Sequence, residues 1–348
     1  DRTDRLVYQD EFVAWAEERK ALGKRLWYSI DNEPDLWGHT HQRVWPKNPT
    51  YAQILQIGRD YASAIKRVAP ESLVFGPANY GWQGFRNFQG APDANGRDFL
   101  NFYLAGMRQA HREQGRRLLD VVDIHWYPEA HGDGKRVTLS GGEDGPGTQE
   151  ARIQCPRALW DPTFREDSWI QRTLGNEPIR LLPRVQGQIA SHYPGTKLGI
   201  TEYDYGGGNH VSGLLAQADV LGAFGRYGVF AATHWGIRKD RRATVGGFQA
   251  FRNMDGRGLR FGAQGLAVQG QTPARNALYA AQDGRTVTMV AINKTQAPQD
   301  FVVDLRGFRP ARAELFVRDA ANLVDPVKGQ VEVVGGNVRF LLPPRSVG

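Results

Sequence analysis

Two glutamates stand where a chain could use them. Glu33 follows the strand-forming run "RLWYSI" (Arg25 to Ile30) and sits in Asn32-Glu33-Pro34, while Glu202 closes the run "KLGIT" just before Tyr203 and the glycines 206–208. Two carboxylates delivered from strand ends to one mouth are the equipment of glycoside hydrolysis. One protonates the departing oxygen while the other attacks, or activates water, on the opposite face of the sugar. Pro34 disfavours the right-handed helical conformation at Glu33, which restricts the backbone and hence the direction of the carboxylate. Taken singly, each glutamate reads as a surface or salt-bridged acid; the equivalent placement of the two is the signal. A second tripeptide, Asn176-Glu177-Pro178, has no apolar run before it. It reads as helix punctuation, with Asn176 as the cap and Pro178 in the first turn.

Aromatic residues make a second constellation. Trp37 and Trp45 follow Glu33, Trp82 follows the next apolar run, Trp126 and Tyr127 end the third, and Trp235 ends the fifth. Flat apolar rings beside carboxylates suit stacking on the C–H faces of sugars. His125 lies at the same strand end as Tyr127, and alternation places Trp126 on the opposite face. Trp160 and Trp169 fall in a connection of roughly 50 residues, a length more often functional than idle. Trp15 and Trp27 read as core. His39 and His41, with Glu33 or His125, have the residue types of a zinc site, although hydrogen bonding in a polar cleft is the commoner use. The single cysteine, Cys155, excludes an internal disulfide and any multi-cysteine metal cluster, and reads as a packed side chain. No metalloprotease, phosphate-loop, nucleophile-elbow or calcium-loop motif is present.

The elements that must position these groups alternate. Strand-like runs at Arg25–Ile30, Ser72–Ala78, Val121–Tyr127, Lys197–Tyr203 and Phe230–Gly236 are nearly continuously apolar, as parallel strands buried on both faces are. Helical periodicity covers Gln9–Gly23, Tyr51–Val68, Arg97–Gly115 and Leu181–Tyr193. The alternation predicts an α/β architecture, and polar and aromatic groups at several strand ends favour a (β/α)8 TIM-type barrel over a doubly wound sheet. Only five strand-plus-helix units are visible, so at about 30 residues per unit the expectation is that three units lie upstream of Asp1. After Gly258 the segments "LAVQGQ", "TVTMVAINK", "QDFVVDL", "RAELFVR" and "VEVVGGNVRFLLP" predict an antiparallel β-sandwich. The expected domains are therefore 1–258, the barrel portion, and 259–348, the sandwich.

The 348 residues carry 44 Lys and Arg against 37 Asp and Glu, a net charge of +7. The basic residues are scattered, and the densest cluster, Arg238 to Arg242, contains an acid. Neither a nucleic-acid partner nor a membrane partner is expected: no basic stripe is concentrated, and no apolar run approaches the roughly 18 residues of a span. The chain starts without Met and without a basic-then-apolar leader.

The stretches "YSIDNEPDLWGHTHQRVWP", "DVVDIHWYPEA", "ARIQCPRALWDPTF", "YPGTKLGITEYDYGGG" and "FRNMDGRGLRFG" resemble glycoside hydrolase family 44 over essentially the whole chain. The resemblance implies a (β/α)8 barrel with an appended β-sandwich and retaining hydrolysis of β-1,4-glucans, often xyloglucan. Glu33 would then be the general acid/base and Glu202 the nucleophile, with Asn32, Tyr127 and Trp235 supporting the site. The visible strands would be the fourth to eighth of the barrel, completed by a separate N-terminal fragment or by residues absent from this sequence. No cofactor is implied for the chemistry; a structural calcium ion is allowed for, with no ligands assigned. The expected protein is a secreted endo-β-1,4-glucanase whose substrate-binding residues are Asn32, Trp37, His125, Tyr127 and Trp235. The alternatives are a non-catalytic polysaccharide-binding barrel fragment and a related hydrolase acting on xylan or mannan.

Overall fold

The computed structural model of the chain describes residues 8–139, 144–175, 177–238 and 240–348. Five strands lie side by side in chain order and all run parallel: β1 (Tyr28–Ser29), β2 (Val74–Asn79), β3 (Val121–Trp126), β4 (Lys197–Tyr203) and β5 (Ala231–His234). They fall on the five apolar runs. Every residue of β2 and β3 is buried, as expected of parallel strands covered on both faces. This sheet is the parallel half of a barrel.

The helix between β1 and β2 spans Tyr51–Val68, the predicted bounds. Its start is set by a reciprocal cap: Gln53 N donates to Thr50 Oγ1 and Thr50 N donates to Gln53 Oε1. Its buried face carries Tyr51, Ile54, Gly58, Ala62 and Ile65, at spacings of three and four. Gly58 is required there, because a Cβ would lie 2.3 Å from the Tyr103 hydroxyl of the next helix. That helix, Phe99–Gln114, is capped by Asp98, which accepts from Asn101 N, and stops at Gly115 in the left-handed conformation.

Contacts divide the chain into two compact units. The first is Asp1–Tyr127, Pro183–Tyr203 and Val229–His234 and holds the parallel sheet; the second is Pro128–Leu182, Asp204–Gly228 and Trp235–Gly348. Residue 258 lies between the last helix, Arg242–Arg252, and the first sandwich strand, Gln264–Leu266, but the compact units interleave along the chain instead of dividing there.

In the second unit, strands Ser346–Val347, Thr286–Asn293, Asn276–Asp283 and Gln264–Leu266 form one antiparallel sheet in that order. Strands Gln299–Asp304, Asn337–Leu342 and Val331–Val334 form another. Alternation along the first sheet serves two cores. Leu278 and Ala291 join Phe301, Val338 and Phe340, whereas Tyr279, Val290 and Ile292 join Leu214, Leu215 and Phe251 of the helices Val211–Arg226 and Arg242–Arg252. Strand Asn276–Asp283 was not among the expected segments; its "NALYAAQ" is alanine-rich and lacks the β-branched signature.

Some expectations fail. Trp15 and Trp27 are 53% and 51% exposed, not core. Each still has ring neighbours, Trp15 in Phe12 and Arg19, Trp27 in Phe75 and Phe230. Pro178 precedes the helix Leu181–His192 by a short turn instead of entering it, Glu177 is exposed, and Asn176 lies outside the described residues.

Candidate active site

All three pairings beyond β1 lose register near their C-terminal ends, between Pro77 and Asn79, between Ile124 and His125, and between Ile200 and Tyr203. Such irregularities bend strands and re-aim side chains, and the polar groups of interest stand there.

Glu33 leaves β1 with φ 44° and ψ 55°. Pro34 does exclude the right-handed region, and the backbone takes the left-handed one instead of extending. Two hydrogen bonds hold it: Glu33 N donates to Ala78 O and Leu36 N donates to Glu33 O, both at 2.9 Å. A non-glycine residue in this region costs on the order of 1–3 kcal/mol and is retained where the surroundings over-determine it. Asp35 supplies part of that determination. It is fully buried, and accepts from Tyr80 N (3.0 Å), Asn79 Nδ2 (3.2 Å) and Gln89 Nε2 (3.2 Å). Burial pushes its pKa up to about 6.

The centre of the site is His125. Its Nδ1 lies 2.8 Å from Glu33 Oε1 and 3.4 Å from Glu202 Oε2. The Tyr127 hydroxyl donates to the same Glu202 oxygen at 2.9 Å. One carboxylate oxygen of Glu33, one of Glu202 and a ring nitrogen of His125 all lie within 4.8 Å of one another. The glutamate side chains keep about a fifth of their surface open, at 20% and 17%, while His125 is 1% exposed. Burial pulls the His125 pKa down, but the Glu33 hydrogen bond and the charges of Glu202, Asp123 and Glu33 outweigh it, and the net direction is up.

Beneath this group sits Asp123, a residue the sequence reading did not single out. It is fully buried, and burial, ahead of its hydrogen bonds from Thr201, pushes its pKa up to about 6. The signal was available: an aspartate inside the apolar run "VVDIHWY", in phase with His125 and Tyr127.

The other expected site residues divide. Asn32 is exposed, and its backbone carbonyl accepts from Trp37 Nε1 at 3.1 Å. Trp37 itself is buried and packs on Trp45, so it braces the loop after Glu33 instead of offering a sugar platform. His125, expected as a substrate contact, directs Nδ1 at the two carboxylates. Trp126 and Trp82 are buried; Trp235, in the second compact unit, is 60% exposed. His39 and His41 are exposed, with His41 Nδ1 on Thr40 Oγ1, and neither joins Glu33, His125 and Glu202. Among the described residues that trio has metal-ligand spacing, but one imidazole and two carboxylates do not suit calcium, which takes six to eight oxygens.

Comparison with known proteins bears on the family of the chain. The sequence profile of glycoside hydrolase family 44 matches residues 1–130. The crystal structure of a family 44 endoglucanase from Clostridium thermocellum superposes with a TM-score of 0.90 at 36% identity, covering 100% of this chain and 71% of that one. The chain belongs to glycoside hydrolase family 44. A family 44 xyloglucanase from Paenibacillus polymyxa matches equally well, with a TM-score of 0.91, 32% identity, and coverage of 100% and 70%. Endoglucanase A of Paenibacillus lautus is 40% identical over 304 residues, 84% of this chain and 43% of that protein. The chain spans less than half the length of the curated relatives it matches. Within this family 44 chain, Glu33 lies in the matched segment and Glu202 beyond it.

Proposed function

We propose that the chain carries the catalytic carboxylate pair of a retaining endo-β-1,4-glucanase, with Glu33 as general acid/base and Glu202 as nucleophile. The observation that carries this reading is the approach of the two glutamates, with oxygens within 4.8 Å of each other and one histidine nitrogen between them. Retaining enzymes hold their carboxyls about 5–5.5 Å apart, whereas inverting enzymes leave about 6.5–9.5 Å for a water molecule.

In the first step Glu202 attacks the anomeric carbon while the glycosidic oxygen leaves with the proton of Glu33, giving a glycosyl ester on Glu202. In the second step Glu33 takes a proton from water, which attacks the same carbon and releases the sugar with its configuration retained. Tyr127 orients Glu202 by its hydrogen bond, and the contact of His125 Nδ1 with Glu33 Oε1 orients the carboxyl that gives its proton in the first step and regains it from water in the second. This chemistry requires no cofactor. The xyloglucanase and endoglucanase relatives support a β-1,4-glucan backbone as substrate, with or without side chains. A polymeric substrate supports action outside the cell, and no helix among the described residues is long and apolar enough to cross a membrane.

The test is reducing-end release from carboxymethylcellulose and xyloglucan, with the anomer formed first read by NMR. The β anomer as first product is expected; the α anomer would show inversion. Glu202→Ala should bind glucan and lose turnover by at least about 10³-fold; substantial remaining activity excludes Glu202 as nucleophile.

A further inference from the structure

We propose that Asp123 and Thr233 are positioning residues that hold a one-residue bulge at Thr201, and that this bulge turns Glu202 toward His125 and Glu33. The proposal rests on the reading of Glu202 as nucleophile.

Side chains alternate along a strand, so a single extra residue moves everything after it to the other face. β3 and β4 pair Asp123 with Gly199 and Ile124 with Ile200, and regular continuation would set His125 against Thr201. Instead His125 pairs with Glu202 and Trp126 with Tyr203. On the other side β4 and β5 pair Ile200 with Ala232 and then Tyr203 with His234, leaving Thr201 and Glu202 opposite Thr233 alone. Without the extra residue, Glu202 would fall in phase with Leu198 and Ile200, both buried. With it, Thr201 and Glu202 both address the face that carries Asp123, His125 and Tyr127.

A bulged residue loses its place in the ladder, and its backbone groups need other partners when buried. Side chains from both flanking strands supply them. Thr201 N donates to Asp123 Oδ1 at 3.2 Å, and the Thr201 hydroxyl is 2.8 Å from each Asp123 oxygen. The Thr201 carbonyl accepts from the Thr233 hydroxyl. Asp123 is fully buried, so its removal leaves an N–H that water is poorly placed to serve.

The test is steady-state kinetics of the full chain on a soluble β-1,4-glucan, beside its thermal midpoint. Asp123→Ala is expected to lower kcat about 100-fold with KM within about threefold, since misplacing a reacting group by an ångström costs that much. Asp123→Asn keeps the acceptor oxygen and should restore kcat to within about tenfold of the parent. Thr233→Val keeps the shape without the hydroxyl and should lower kcat about tenfold. Azide added to Glu202→Ala should restore turnover by attacking the anomeric carbon in place of the missing carboxylate, as the glycosidic oxygen leaves with the proton of Glu33, giving a glycosyl azide. Azide should restore nothing in Asp123→Ala, whose carboxylate is present but misaimed. Parental kcat in Asp123→Ala, or a rise in KM alone, overturns the proposal. If that variant does not fold, Thr233→Val decides by itself, and parental kcat there overturns it. If Glu202→Ala keeps the parental rate, the nucleophile reading falls whatever Asp123 does. If Glu202→Ala is inactive and rescued while both bulge variants are parental, only the bulge proposal falls.

Discussion

His125 is the residue on which the two glutamates converge, and its chemistry predicts how the site responds to pH. A neutral imidazole would offer one N–H, from Nδ1, to Glu33 at 2.8 Å; a protonated one would also answer the charge of Glu202 at 3.4 Å. The net direction of its pKa is up, burial opposing and the Glu33 hydrogen bond with the charges of Glu202, Asp123 and Glu33 prevailing. The sign follows: the proton is held below the ordinary histidine value of about 6.5 and is lost as pH rises through the raised folded value. The charge that this proton places beside Glu202 and Glu33 holds the two carboxyls for the first step, so its loss sets a basic limb of kcat/KM above about pH 6.5. His125→Asn should lower kcat by about 10²–10³-fold and abolish that limb; a limb left in place would mean that another group sets it. Asp123 titrates in the same direction, and its effect is on stability. A carboxyl raised from 3.8 to about 6 contributes stability below pH 3.8 that is lost as pH rises through about 6. Relative to Asp123→Asn, the parent should therefore lose about 2 kcal/mol between pH 4 and pH 7, read from urea melts at each pH.

At the scale of elements, what aims the glutamates is irregular backbone at strand ends. The turn after β1 is tied to the end of β2 through Asp35, which accepts from Tyr80 N, Asn79 Nδ2 and Gln89 Nε2. Gly84 belongs to the same arrangement, because a Cβ would lie 2.4 Å from Asp35 Oδ2. Asp35→Ala orphans those donors and frees Glu33 to leave its left-handed conformation. The expected result is a loss of about 1–3 kcal/mol in stability and of about 10–100-fold in kcat, with KM little changed; Gly84→Ala should do likewise by displacing the carboxylate. Stability loss with unchanged kcat would separate Asp35 from the aim of Glu33. The regular parts of this scaffold were legible in sequence. The helix Tyr51–Val68 shows its stripe and cap, and β2 to β4 fall on nearly continuous apolar runs. The helix Val211–Arg226 was not, because thirteen of its residues are buried and a helix apolar on all sides carries no stripe. The pair Glu33 and Glu202 was legible from placement, but the His125 bridge and the bulge were not. Register depends on which residues pair across strands, and "KLGITEY" reads the same with or without a skipped partner.

At the scale of the whole molecule, the second compact unit shows how a sheet with two buried faces is locked. Its strand Asn276–Asp283 gives Leu278 to the sandwich core and Tyr279 to the helical core, so apolar contacts alone do not distinguish one face from the other. A buried polar trio does. Asp219, on the helix Val211–Arg226, accepts from Lys294 Nζ at 2.6 Å and from the Tyr279 hydroxyl at 2.6 Å, and Lys294 also donates to Pro273 O at 3.0 Å. Asp219 and Lys294 side chains are each 1% exposed, and burial drives the Tyr279 pKa well upward, keeping it a neutral donor. Breaking such a pair by removing one charge costs more than removing both, because the survivor is left unpaired in a low-dielectric interior. Lys294→Met should therefore cost about 3–5 kcal/mol in urea unfolding. Adding Asp219→Asn to it should recover part of that loss, because the uncompensated carboxylate is gone while an acceptor for Tyr279 remains. Activity per folded molecule should be unchanged in both, since neither residue belongs to the unit that holds Glu33 and Glu202. A double variant less stable than Lys294→Met by the full Asp219→Asn cost would mean that the two side chains act independently and that helix and sheet are held by packing alone.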